Sequence, residues 1–213
     1  MSARGLLVAG LLSAALGGCH GHGTESAPES STTPLAAPSA ATGVDAPARR
    51  SRSIYALPMT LTDQGGATSG LDVFRGRPVL VGMFYGTCPS ACPVLVSTIK
   101  RVMAGLDGEA GAELRVLLVS FDPDRDTPAA LAKIAAERGL DGRWKLASAP
   151  DDQVRDLAAL LGIQYRKLPD GNYSHTSSIV LLDRSGVIDL RLDDMTQPID
   201  PLVSRARTLG AGR

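Results

Sequence analysis

Cysteine is scarce in this chain, with three residues in 213, at positions 19, 88 and 92. Histidine is as rare, at positions 20, 22 and 175, and Trp144 is the sole tryptophan. No charge of one sign is in excess, because Lys+Arg and Asp+Glu stand at 22 each. No basic excess therefore points to nucleic acid, and no acidic tail points to a cationic partner. The apolar run nearest the start, Leu6 to Leu16, is eleven residues long. It is too short to span a bilayer as a mature helix. No internal repeat is evident, which excludes solenoids and propellers. The remaining composition, 44% apolar and 21% charged, fits one folded domain with a real core.

The leader carries more information than its length implies. Arg4 supplies a positive start, the Leu6–Leu16 run follows, and then comes Leu-Gly-Gly-Cys. This order resembles a bacterial lipoprotein signal, which implies cleavage of residues 1–18 and acylation of Cys19. Residues 19–53 are rich in Ser, Thr, Ala and Pro without apolar periodicity, so they read as a lipid-anchored disordered tether. His20 and His22 fall in that tether and read as solvated linker residues. The folded domain is then 54–213, held on the extracytoplasmic, periplasmic side of a membrane where disulfides persist. With Cys19 given to lipid, the odd cysteine count becomes one pair, Cys88 and Cys92.

Along the domain, strand and helix signals alternate. YALPMTLTDQGG reads as a short strand with a Gly-Gly turn. RPVLVGMFY and ELRVLLVSFD are continuous apolar runs, the pattern of strands buried on both faces. RWKLAS reads as a third strand, and SSIVLLDRSGVIDLRL reads as a hairpin turning at Arg184–Gly186. Helical spacing marks VLVSTIKRVMAGL, DDQVRDLAALLG and PIDPLVSRARTLG. TPAALAKIAAERG is a helix with Thr127 as N-cap, Pro128 in the first turn and Gly139 at its end. The order predicts an α/β fold, a sheet with helices on both faces. LPDGNY, before His175, reads as loop.

Three stretches carry chemistry. The first is GTCPSACP, with Cys88 and Cys92 directly after a buried strand. Four-residue spacing puts the two thiols on one side of a helical turn, and Pro93 places that turn at a helix start. A helix start favours thiolate over thiol, and a thiolate either binds metal or attacks sulfur. An inert disulfide is the bland alternative, but so small a loop gains little from closure. The second stretch, SFDPDRDTP, also leaves a strand end. Most of it is turn chemistry, with Asp122 placed to orient a ligand or offset a cation. The third is YSHTSSIVLLD, with His175, the domain's only histidine. Two thiolates and an imidazole make a soft donor set suited to Cu(I), and also to Cu(II) or zinc. Met83 and Met103 read as core filling and Trp144 as a packing residue.

Taken together, CPSACP, DPDRDTP and HTSSIVLLDRSG, in this order and spacing over about residues 54–209, resemble the SCO/SenC family. The resemblance implies a thioredoxin-like fold, with a central mixed sheet and a β-hairpin insertion. It implies copper held by Cys88, Cys92 and His175, with Asp122 behind them. It also implies a partner, the copper subunit of cytochrome c oxidase or another extracytoplasmic copper protein, whose dinuclear centre the protein helps to assemble. The sequence departs from the pattern at Ser90–Ala91, between the cysteines, and in the short approach to His175. Two other roles use the same residues: a thiol–disulfide oxidoreductase in which Cys88 and Cys92 form the redox-active pair, and a peroxidase-like sensor. Neither has a need of His175.

Overall fold

The computed structural model describes residues 53–88 and 91–212. The expected signal segment, Cys19 and the tether therefore lie outside the described residues. Two apolar runs make the middle of the sheet: β3 (Val79–Phe84) and β4 (Arg115–Ser120). All six residues of β3 are buried, and five of the six in β4. Alternate side chains point to opposite faces, so full burial means that both faces are covered. β3 and β4 are parallel from Val79↔Arg115 to Phe84↔Ser120. β5 (Trp144–Ser148) continues the parallel set beside β4.

Antiparallel strands close both flanks. β1 (Leu61–Asp63) pairs with β5, and β2 (Thr68–Ser69) pairs with β1. On the other side β8 (Ile179–Leu182) pairs with β3 and β9 (Ile188–Leu192) with β8. The seven strands run β2-β1-β5-β4-β3-β8-β9. The helices are α1 (Ala91–Ala104), α2 (Gly108–Glu113), α3 (Pro128–Glu137), α4 (Asp151–Leu160) and α5 (Asp200–Ala211). α5 packs against α1 and α2, while α3 packs over β5 and β1. This is the mixed α/β, thioredoxin-like arrangement that the motif order predicts. None of the described helices is long and apolar enough to cross a membrane.

Local signals act as read. The Thr127 side chain accepts a hydrogen bond from the Ala130 amide at 3.3 Å, with Pro128 opening α3. Gly139 and Gly162, which end α3 and α4, take left-handed φ of 55° and 62°. Met83 and Met103 are buried in the core, as is Trp144.

Two elements go beyond the sequence reading. α2 is a six-residue helix in a stretch with no helical periodicity. LPDGNY is loop through Asn172, as read, but Tyr173 opens a strand. Residues 168–172 are the turn of a separate two-stranded ribbon, β6 (Tyr165–Lys167) with β7 (Tyr173–His175), paired from Tyr165↔His175 to Lys167↔Tyr173. That ribbon answers to the expected β-hairpin insertion, and it carries His175 at the end of a strand rather than on a free loop.

Candidate metal centre

The site forms where β3 and β4 end. Beyond Phe84 the chain turns, with the Cys88 amide donating to the Tyr85 carbonyl at 3.1 Å. Cys88 sits in this turn, before α1, and Cys92 is the second residue of the helix. The pair does not share one helical turn: Cys92 lies in the first turn of the helix, as Pro93 predicts, and Cys88 lies before it. Instead the Cys92 amide donates to the Cys88 sulfur at 3.3 Å, so Cys88 caps one of the helix's unpaired donors. Both residues are buried, and no disulfide joins them.

The helix start does not make Cys92 a thiolate. Burial pushes its thiol well above the ordinary range, and the neighbouring Cys88 adds to this. The Tyr85 backbone opposes the shift without cancelling it. Desolvation outweighs the helix end at Cys92, which corrects for that thiol the expectation of deprotonation at the helix start. Without a cation, the sulfur keeps its proton.

His175 reaches the same place from the ribbon. Ligand-type atoms of Cys88, Cys92 and His175 all lie within 4.8 Å of one another. Around one shared ion, with bonds of about 2.0–2.3 Å, such atoms sit roughly 3.5–4 Å apart, so closure of no more than about 1.3 Å is needed. The His175 Nδ1 lies 3.2 Å from the Thr176 carbonyl oxygen, which can only accept. In that contact Nδ1 carries the proton and Nε2 keeps its lone pair as a donor to metal. Two soft sulfurs and one imidazole thus fit a thiophilic cation.

Asp122 is buried directly after Phe121, at the end of β4. One oxygen accepts from Arg125 Nε; the other is buried with no hydrogen-bond partner among the described residues. Arg125 also donates to the Gly171 carbonyl, in the ribbon's turn. Asp122 therefore reaches the His175 ribbon through an arginine. Asp126, four residues on, faces the other half of the site. Its Oδ2 accepts from the Gly86 amide at 2.8 Å and from the Ser120 hydroxyl, while Ser120 Oγ accepts from the Asp122 amide at 2.9 Å. Burial pushes the Asp126 carboxyl up, and the Ser120 and Gly86 donors pull against it. The segment 122–126 thus holds the cysteine turn with one carboxylate and the histidine ribbon with another.

Aromatic rings wall the site, a feature that the sequence reading passed over. His175 lies 5.0 Å from the Phe121 ring and 5.9 Å, edge-on, from Tyr85. Phe121 stacks on Tyr165 at 4.9 Å, and Tyr85 meets Tyr173 at 5.2 Å. Only eight aromatic residues occur in the chain (four Tyr, three Phe, one Trp), and four of them are here. Burial, with Asp122 adding to it, pushes the Tyr173 phenol up to about 12, so the wall is neutral. The available signal was position: Tyr85, Phe121 and Tyr173 each stand within three residues of Cys88, Asp122 or His175.

The SCO1/SenC family model matches residues 47–209. The chain belongs to the SCO1/SenC family. It is 25% identical over 154 residues to the SCO1 protein homolog of Bacillus subtilis, covering 67% of this chain and 79% of that one. The structure of Bradyrhizobium japonicum ScoI with copper bound superposes with a TM-score of 0.61 at 25% identity, over 71% of this chain and 97% of that one. A SCO1/SenC family lipoprotein of Bacillus anthracis shares the fold, with a TM-score of 0.64 at 19% identity over 72% and 94% of the two chains. Membership places this protein among the SCO copper-binding proteins.

Proposed function

We propose that this SCO1/SenC protein carries copper on Cys88, Cys92 and His175, and hands it to an extracytoplasmic target in the assembly of a dinuclear copper centre of the cytochrome c oxidase type. The observation that carries the reading is the approach of two buried sulfurs and one imidazole to within 4.8 Å, from two separately held elements. Three protein donors leave a position through which a target's ligand can enter, so transfer proceeds by exchange. Loading displaces the Cys92 proton, and the neutral aromatic wall keeps water from competing for the ion. Asp122 positions the histidine side through Arg125 rather than as a ligand. Thiol–disulfide exchange is less favoured: burial keeps Cys92 protonated, and the exchange has no use for His175.

Residues 1–18 serve in this reading as a lipoprotein signal, Cys19 as the lipid attachment point and 19–53 as the tether that spaces the domain from the membrane. The similarity to a lipoprotein of the same fold supports it. The test of the site is titration of the full chain and its His175→Ala variant with Cu(I) and with Cu(II). The variant loses affinity for both; unchanged binding of both ions overturns the three-ligand site. For the anchor, Cys19→Ser releases the protein from the membrane fraction, and continued retention refutes acylation.

A further inference from the structure

At the end of the sheet opposite the copper site, the parallel strands begin. Arg115 opens β4, Trp144 opens β5, and the turn between β8 and β9 lies beside the start of β3. A groove of about 670 Å³ is cut into this edge. Arg75, Arg77, Arg115, Arg143 and Lys145 line it, and Asp63 is its one lining carboxylate. Asp63 is taken by Lys145, and Arg143 pairs with Asp141 nearby. Among the described residues no carboxylate pairs with Arg75, Arg77 or Arg115; the Arg75 guanidinium lies over the Tyr55 ring, 5.3 Å from its centre. In a chain of zero net charge this is a concentrated positive edge. Val73, on its rim, is 56% exposed.

The described chain also enters here. Ser53 donates to the Ser185 carbonyl and bridges to Val187, in the β8–β9 turn, and the Tyr55 ring lies beneath Arg75. Fifty-two residues precede Ser53. β3, six residues long, separates this edge from the cysteine turn, a rise of roughly 17 Å.

We propose that this basic edge docks on an anionic phospholipid bilayer, with arginines at the headgroup phosphates and Val73 at the interface, so that the copper site faces away from the membrane. Charge complementarity and the chain's point of entry select the bilayer as occupant. The inference takes from the proposed function only the nearness of a membrane, and its test involves no copper, so the two readings fail separately. Full-length chain is partitioned onto vesicles of phosphatidylcholine alone and of a three-to-one mixture with phosphatidylglycerol. The leader and tether are present in every arm, so only the variants report on the groove. Each cation near an anionic surface contributes about fivefold, so Arg75→Gln/Arg77→Gln lowers partition onto the mixed vesicles roughly 25-fold. Arg77→Gln alone, which leaves the Tyr55 packing intact, lowers it about fivefold. Arg166→Gln/Lys167→Gln, in the ribbon at the opposite end, leaves it unchanged. Equal loss from both pairs, or no loss from Arg77→Gln, overturns the proposal. So does release by inorganic phosphate where chloride of matched ionic strength has no effect, because that marks a discrete anion pocket instead.

Discussion

Gly86→Ala tests the link between the cysteine turn and the 122–126 segment. A Cβ at this position stands 2.4 Å from Asp126 Oδ1 and 2.8 Å from Ile134 Cδ1, both inside any tolerable contact. The Ile134 methyl can swing aside. Asp126 cannot, because its carboxylate holds the Gly86 amide at 2.8 Å together with the Ser120 hydroxyl. Forcing a methyl into a filled site costs about 1–3 kcal/mol, and hydrogen bonds to a charged group are worth about 1.5–3 kcal/mol each. If one such bond is weakened rather than lost, the expected destabilisation is about 2–4 kcal/mol. At about 2–4 °C per kcal/mol for a domain of this size, the melting midpoint falls by roughly 5–15 °C. Guanidinium unfolding followed by the fluorescence of buried Trp144 measures this directly. Asp126→Ala removes the obstructing oxygen, so in its background Gly86→Ala costs much less. If the two substitutions add to within about 0.5 kcal/mol, the clash is not what Gly86 avoids and the argument fails.

Arg125→Ala frees the ribbon's turn. Arg125 is itself 40% exposed, but it is the partner of the buried Asp122 carboxylate, so its loss lowers global stability by about 1–3 kcal/mol and hydrogen exchange over residues 165–175 speeds up beyond that global change; exchange there that rises no more than elsewhere refutes the latch. Phe121→Ala removes a ring that is 2% exposed and stacked at 4.9 Å, at a cost of about 3–5 kcal/mol in urea unfolding. At the far edge, burial raises the Asp63 carboxyl, but hydrogen bonds from Lys145 and the Ala67 and Gly65 amides bring it below the ordinary value of 3.8. A lowered carboxylate stabilises the fold above its unfolded value, and that contribution is lost as pH falls through the folded one. Lys145→Met therefore lowers the melting midpoint at neutral pH and flattens its fall below about pH 4; parallel melting curves for the two proteins from neutral to acid pH refute it.

The sheet's centre was readable because β3 and β4 are buried on both faces and leave unbroken apolar runs. The cysteine pair and His175 were readable because thiols and imidazoles are so few. The ribbon was not, because its residues are half-buried or exposed and three-residue strands have no period to detect. α2 escaped for a similar reason, with six residues and two glycines. The thiol's protonation was misjudged because a helix start is visible in sequence, whereas the burial that outweighs it comes from distant segments. In SFDPDRDTP, Asp122 reads as a site residue while Arg125 and Asp126 read as turn chemistry. Their partners, Gly171 and Gly86, are 46 and 40 residues away.

The five residues 122–126 therefore act as a ruler. Asp126 fixes the turn that bears the sulfurs, Arg125 fixes the ribbon that bears the imidazole, and one short backbone sets both. An error in this backbone moves both sets of donors together. An inserted residue at the exposed Pro169–Asp170 tip of the ribbon's turn is absorbed on the surface; the same insertion between Asp122 and Asp126 changes the gauge itself. Tolerance to length change thus separates two loops that composition alone treats alike.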